Sequence, residues 1–327
     1  MAIAAITIQN DLHAHIIRHE LRTRHNIELL LIEVDRLSAS HHINWHLDGS
    51  KPNCRILSDQ TWLSTEELDV IWWRRSRSQQ IFDDVVYPPE QEDVINNDCR
   101  SALFGAFTTC FNRVWLSHPF ATERAGNKLY QLSVARGSGF RVPRTLVSQD
   151  PDSVKQFIAC LPNKQAIVKT VAGGGRGLFL FTQFVTEAEL EKIDSIKVCP
   201  AIYQEYIEGN THIRLNCFGN TSYAGRIVSP DLDWRPNLDI PVSAWPVPDE
   251  LHARVRAVLD ELKLEMGIVD IKLTPEGEYV WLEVNPQGQF LFLEPLTGTP
   301  YSRIFSDYLA SVVSDSKDST GYALRRV

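Results

Sequence analysis

Between Gly267 and Gln289 the chain reads GIVDIKLTPEGEYVWLEVNPQGQ, with three hard-oxygen side chains inside it: Asp270, Glu283 and Asn285. The pattern predicts two strands joined by a tight turn at Pro275-Glu276-Gly277. Asp270 lies among apolar neighbours on the first strand. Glu283 and Asn285, two residues apart on the second, point to the same side. Hard oxygens converging on one point suit Mg²⁺, which keeps waters and takes few protein ligands beside substrate phosphates. These residues alone leave open the alternative of solvated acids on a surface hairpin.

A second group carries positive charge. Lys169 ends an apolar run, Gln165 to Lys169, that enters Gly173-Gly174-Gly175-Arg176-Gly177. This is not a Walker loop, because no G-x-x-x-x-G-K-[ST] and no following helix are present. Glycines between two strands let backbone amides approach an anion, as in a flap over phosphates, although a plain glycine-rich turn reads the same way. Arg74, Arg75 and Arg77 follow the apolar run Leu68 to Trp73. In open α/β sheets ligands gather beyond the carboxyl ends of strands, so the cluster is either an anion site or a solvated charge run. His41, His42 and His46 offer no fourth metal ligand, and no nucleophile elbow appears.

The elements that must position these groups alternate along the chain. Strands are expected at Ala2 to Ile8, Glu28 to Val34 and Leu68 to Trp73, the last preceded by a capping box at Ser64 to Glu67, with a helix capped by Asn10 or Asp11 after the first. A small hairpin is expected within 38–59. A helical pattern covers Pro89 to Arg113, a short strand Val114 to Leu116, and one helix Ala121 to Arg136. Strands at Thr145 to Ser148, Gln165 to Lys169, Leu178 to Phe181 and Ala201 to Ile207 follow, with a hairpin turning at Gly219-Asn220. A helix at Glu250 to Leu262 feeds the carboxylate hairpin, a last helix, Tyr301 to Val313, packs behind it, and a polar tail begins at Ser314. The expected division is an N-terminal open α/β domain over 1–118, a central lobe over 119–200, a C-terminal lobe over 201–313 and a mobile tail over 314–327.

Composition sets outer limits. Of 327 residues, 43% are hydrophobic and 23% charged, ordinary for a globular chain. No apolar run approaches the ~20 residues that span a bilayer. The start reads as a strand rather than a signal. The 6 cysteines are scattered, as in a reducing cytoplasm, and a net charge of −8 argues against nonspecific nucleic-acid binding.

The order of these features resembles the ATP-grasp superfamily across about Thr122 to Leu309: Asn127-Lys128, Val168-Lys169, the glycine flap, Gln204-Glu205-Tyr206-Ile207, Arg214, Arg226, Asp270 and Glu283-Val284-Asn285. The resemblance implies an ATP-grasp fold behind an N-terminal open α/β domain. It further implies ATP phosphates on Lys128, Lys169 and the flap glycines Gly174, Gly175 and Gly177. Adenine would lie against Glu205, Tyr206 and Ile207, and Mg²⁺ on Asp270, Glu283 and Asn285. Asp233-Trp234-Arg235, Asn285 to Gln289 before an aromatic, Glu294 near Thr297-Gly298, and Trp72-Trp73-Arg74-Arg75 look like the microviridin-type ligases. Those enzymes modify ribosomally made precursor peptides, the graspetides, and are related to glutamate ligases acting on ribosomal proteins. His212 stands where many relatives carry an acid, and Phe290 where tryptophan is usual.

That resemblance implies ATP-dependent activation of a carboxylate as an acyl phosphate, which an amine or hydroxyl then attacks. Arg214 or Arg226 would meet the transferred phosphoryl group and Arg235 the substrate, with Arg74, Arg75, Trp234 and Gln289 as further substrate candidates. A precursor peptide with a leader and an acidic core, and a homodimer, are the implied partners. A ligase of free amino acids or another small carboxylate, and a non-catalytic ATP-binding protein, are the competing expectations.

Overall fold

The computed structural model describes residues 2–58, 60–82, 86–173, 180–237 and 239–318. The chain divides into two compact units, one of 1–123, 263–266 and 286–327, the other of 124–262 and 267–285.

The first unit begins with β1 (Ile3–Thr7), buried along its whole length, and α1 (Leu12–Glu20). Asp11 is the helix cap, its carboxylate accepting the His13 amide at 3.2 Å. Then come β2 (Leu29–Glu33), β3 (His42–His46), β4 (Asn53–Ser58), β5 (Thr61–Ser64), the Ser64 capping box, and β6 (Val70–Trp73). The small hairpin expected in 38–59 gains a third strand and becomes the antiparallel sheet β3-β4-β5. Helix α2 (Pro89–Cys110) opens on proline, whose missing amide costs nothing in the first turn, and β7 (Val114–Leu116) follows. The main sheet, order β2-β1-β6-β7, pairs in parallel. Ala4, Ile6, Ile32, Ile71 and Trp73 pack with Leu103 and Phe107 of α2, the covered arrangement that parallel sheets require.

The single helix expected over Ala121 to Arg136 is two: α3 (Pro119–Ala125) and α4 (Lys128–Gly137). Asn127 breaks it, accepting the amides of Leu129 and Tyr130 at 3.0 and 3.2 Å and so starting a new helix at Lys128.

The second unit holds two antiparallel sheets. The smaller is built from β8 (Thr145–Ser148), β9 (Ala166–Lys169), β10 (Gln183–Phe184) and β11 (Ala201–Glu205), with α5 (Pro151–Ala159), α6 (Glu187–Leu190) and α7 (Ile193–Lys197) along the way. Its order is β10-β9-β11-β8, so Ala201–Glu205 lies at its centre, and a boundary at residue 200 would cut this sheet. The strand expected at Leu178 to Phe181 falls partly outside the described residues; the strand that pairs with β9 is Gln183–Phe184.

The larger sheet joins β12 (Thr211–Phe218), β13 (Thr221–Val228), β14 (Val242–Trp245), β15 (Met266–Leu273) and β16 (Tyr279–Asn285) in the order β14-β13-β12-β15-β16, with α8 (Asp249–Glu261) between β14 and β15. Gly219 and Gly277 turn the two hairpins at φ 53° and 86°, a backbone region open to glycine. The chain then returns to the first unit with α9 (Leu293–Thr297) and α10 (Tyr301–Asp318). This last helix belongs with α1 in the first unit, and it runs through Ser314 to Asp318, where a polar tail was expected. Among the described residues no helix is long and apolar enough to cross a membrane.

Candidate active site

The carboxylate hairpin forms as its sequence suggests, with one irregularity that matters. Asp270 pairs directly with Glu283, but Ile271 pairs with Trp281, leaving Leu282 without an opposite residue. Alternation would otherwise turn Glu283 to the far face. The extra residue returns it to the face of Asp270, a use of bulges common beside functional sites. Asn285, opposite Ile268, shares that face and is exposed.

Two buried contacts fix the irregular strand at the sheet edge. Gln131 of α4, 3% exposed, accepts the Val284 amide at 2.9 Å and donates to the Val284 carbonyl at 2.8 Å. One side-chain amide thus replaces a missing neighbouring strand between Glu283 and Asn285. The Trp281 amide donates to the Arg141 carbonyl at 2.9 Å. Nothing in the sequence distinguished Gln131 from a solvated helix residue.

Cations gather around the two acids. Lys128, the first residue of α4, brings Nζ to 3.8 Å from Glu283 and 3.4 Å from the Thr170 carbonyl. Arg214 donates from one guanidinium nitrogen to both oxygens of Asp270 at 2.8 Å. Burial pulls Lys169 down to about 8, the charge of Glu283 opposes this, and Lys128 and Arg235 add to the lowering. Burial raises Asp270 above the usual carboxylate range, with Arg214 holding it back and Glu283 adding to the rise. Arg235 pairs through Nε and Nη2 with the two oxygens of Asp233, whose carboxylate also accepts the Thr182 amide at 3.3 Å. That acid joins the Asp233-Trp234-Arg235 turn to the chain leaving the glycine stretch. Trp234 lies beneath Arg214, 6.0 Å from its guanidinium carbon to the ring centre.

Among the described residues no three His, Cys, Asp or Glu side chains cluster as a metal cage. The donor set is a pair of opposed carboxylates with cations on both, and it fits Mg²⁺ held by one or two acids together with phosphate oxygens. The three glycines Gly174, Gly175 and Gly177 lie outside the described residues.

At the expected adenine-binding strand the Glu205 side chain is already engaged, accepting from Arg141 at 3.0 Å and from the Arg144 amide at 3.1 Å. Tyr206 sets its ring edge against Phe184, and Ile207 is buried.

The structure corrects one catalytic assignment by register. Arg226 is opposite Ile213, and residues opposed across antiparallel strands share a face, so Arg226 points away from Arg214 and Asp270. Its face is the one that carries α8, where Ser222 meets His252 at 3.0 Å, and its guanidinium lies over Trp245.

These sheets have counterparts among solved proteins. No family model and no curated protein matches the chain. The macrocyclase MdnC of Microcystis aeruginosa MRC, solved bound with the precursor peptide MdnA, superposes with a TM-score of 0.84 at 22% identity, covering 96% of this chain and 99% of that one. The RiPP-associated ATP-grasp ligase of Chryseobacterium gregarium, solved with ADP and a leader and core peptide, gives 0.82 at 24% identity, covering 96% of each. The fold is that of the ATP-grasp ligases. The D-cycloserine synthetase DcsG superposes less well, at 0.63 and 16% identity, covering 96% of this chain and all of that one.

The remaining substrate candidates belong to the first unit. Arg74 is a correction: it is wholly buried, gripping Asp11 at 2.6 and 3.2 Å, so its guanidinium holds the end of β6 to the start of α1. Arg75 and Gln289 are exposed. Phe290, in place of the usual tryptophan, is a core residue whose ring meets His13 edge-on at 5.0 Å. His13 also accepts the amides of Phe290 and Leu291 at 3.0 and 3.1 Å, and burial pulls it down to about 3, with Arg74 adding to the lowering. Glu294 caps the start of α10 through Ser302 at 2.8 and 2.9 Å.

Proposed function

We propose that this chain is an ATP-dependent ligase that joins a side-chain carboxylate to an amine or hydroxyl within a ribosomally made precursor peptide, leaving a macrocyclic amide or ester. The observation that carries this reading is the opposed pair Asp270 and Glu283, turned to one face by the Leu282 bulge and ringed by Lys128, Lys169, Arg214 and Arg235 on an ATP-grasp fold.

A carboxylate is a poor electrophile because its leaving group would be oxide. Passing the γ-phosphoryl group of ATP to it makes an acyl phosphate, and attack by the second group releases phosphate. Asp270, Glu283 and Asn285 would hold Mg²⁺, which when bound neutralises phosphate oxygens as charge spreads in the transfer. Lys128 and Lys169 position the phosphate chain from the α4 and β9 sides. Arg214, resting on Asp270, is the guanidinium placed to meet the transferred phosphoryl group. Asp233 fixes Arg235 at its turn and also accepts the Thr182 amide. Superposition on a peptide-bound macrocyclase and a peptide-bound ATP-grasp ligase at TM-scores above 0.8, against 0.63 for a small-molecule synthetase, supports a peptide over a free amino acid as substrate. The expected homodimer is part of the same proposal.

The test is incubation with ATP, Mg²⁺ and a synthetic peptide of leader plus acidic core containing Thr, Ser and Lys. Loss of one water per ring by mass, with hydroxamate formation when hydroxylamine is added, is expected. ATP consumption that leaves a stable phosphopeptide and no hydroxamate would refute ligation.

A further inference from the structure

The face that carries Asp270 continues two residues along β15 to Lys272. Strand alternation puts Asp270 and Lys272 on one side, ~7 Å apart. Lys272 is 5% exposed and donates to Nε2 of His212 on the neighbouring strand at 3.1 Å. His212 is itself buried, at 8% exposure. Among the described residues no carboxylate lies within ion-pair distance of Lys272. A buried ammonium whose partner is a neutral imidazole is an expensive arrangement, because buried charges are normally paired. An ammonium has only hydrogens to give, so the imidazole accepts through Nε2.

The position of this cation indicates what it awaits. His212 is the second residue of β12, which follows the Glu205 to Ile207 segment where the resemblance puts adenine. Gly209, between them, packs so tightly on the end of β15 that an added Cβ would lie 3.2 Å from the Leu273 carbonyl and 3.3 Å from Pro275. Lys272 therefore lies between the nucleoside end of the face and the Asp270–Glu283 pair that would meet the outer phosphates.

Resting on the proposed nucleotide site, we propose that Lys272, held by His212, binds the α-phosphate of the nucleotide and supplies the cation for its charge. Two ammonium hydrogens remain for phosphate oxygens once His212 has accepted the third. The α-phosphate would supply the anionic partner of Lys272.

Binding of adenosine, AMP and ADP separates this from a structural role. Calorimetric titration of Lys272→Met should show AMP and ADP weakened about tenfold or more, in line with loss of a charge-assisted contact of ~1.5–3 kcal/mol, with adenosine unchanged. His212→Asp neutralises the same lysine from within the fold; it should also weaken AMP and ADP and leave adenosine alone. This variant keeps the lysine, so it serves even where Lys272→Met fails to fold. Equal loss of adenosine and AMP, or unchanged AMP and ADP affinity in either variant, would overturn the assignment while leaving the nucleotide site standing. Failure of the wild-type chain to bind ADP would refute the nucleotide site itself, and the assignment with it.

Discussion

Replacing Arg74 by methionine should cost the fold rather than the substrate. The Arg74 side chain is fully buried and that of Asp11 is 2% exposed, so the change strands a carboxylate in the core. Asp11 also accepts the Thr7 hydroxyl at 2.6 Å and caps α1, so it cannot turn out to solvent without uncapping the helix. Removing one partner of such a pair costs ~3–5 kcal/mol. At ~2–4 °C per kcal/mol for a unit of this size, the melting temperature should fall by about 10 °C. The pH dependence carries the sign. Burial pushes Asp11 up, but the hydrogen bond and charge of Arg74 outweigh it and hold the carboxyl below its usual range. Its stabilisation is therefore present above the unfolded carboxylate pKa and fades as pH falls through the folded one. Without Arg74 the upward push of burial is opposed only by the Thr7 hydroxyl and the charge of His13, so the deficit of the variant should be largest near neutrality and narrow towards pH 4. Pairing the change with Asp11→Asn, which keeps the cap and removes the charge, should recover most of the loss. Thermal melts read by circular dichroism across pH provide the measurement. An unchanged melting temperature with weakened peptide binding would show that Arg74 serves a ligand and that the buried-pair reasoning fails.

Other perturbations test the machinery around Glu283. Gly267→Ala would place a Cβ 2.8 Å from Val284 and 3.0 Å from Leu259, overpacking by ~1–3 kcal/mol, and should weaken Mg²⁺-dependent ADP binding as well as lower the urea midpoint. Gln131→Leu leaves the Val284 amide and carbonyl buried without their side-chain partner; a stability loss of ~1–3 kcal/mol with weaker Mg²⁺ dependence is expected, and an unaltered Mg²⁺ titration would show that the strand edge holds Glu283 without it. His13 and His212, both lowered to about 3 by burial, take up protons in the unfolded chain before the folded one, so stability should rise with pH between about 3 and 6.5. Urea midpoints measured across that range check the sign, and His13→Gln should flatten part of the slope.

The chemistry-bearing residues were legible because their types are informative wherever they stand. Two carboxylates in an apolar hairpin, a lysine ending a strand and a glycine run each restrict what the chain can do, and their order restricts it further. The alternating pattern of the first unit was equally readable, since buried parallel strands such as Leu29–Glu33 appear as apolar runs. Side-chain direction was not. Arg226 and Arg214 look alike in sequence, and only the pairing of Ile213 with Arg226 shows that they occupy opposite faces. Arg74 followed an apolar strand as an anion-binding arginine would, yet its partner, Asp11, lies 63 residues away in the chain. Gln131 carried no signal, because a glutamine on a helix is ordinarily solvated and its role comes from the strand edge beside it.

The Leu282 bulge shows why register is the decisive missing quantity. In an unbroken ladder Val280, opposite Lys272, would put Leu282 opposite Asp270 and turn Glu283 away. The sequence YVWLEVN is compatible with either arrangement, because Leu282 and Val284 are both apolar. What selects the bulge is outside the hairpin: Gln131 engages Val284 and Arg141 engages Trp281, on either side of the extra residue. Both contacts come from the α4 region, and α4 starts where Asn127 restarts the helix. The same local event that places Lys128 near Glu283 thus also pins the strand that presents Glu283. Cation and carboxylate are set by one piece of backbone, so a shift of α4 would move both together and preserve their separation.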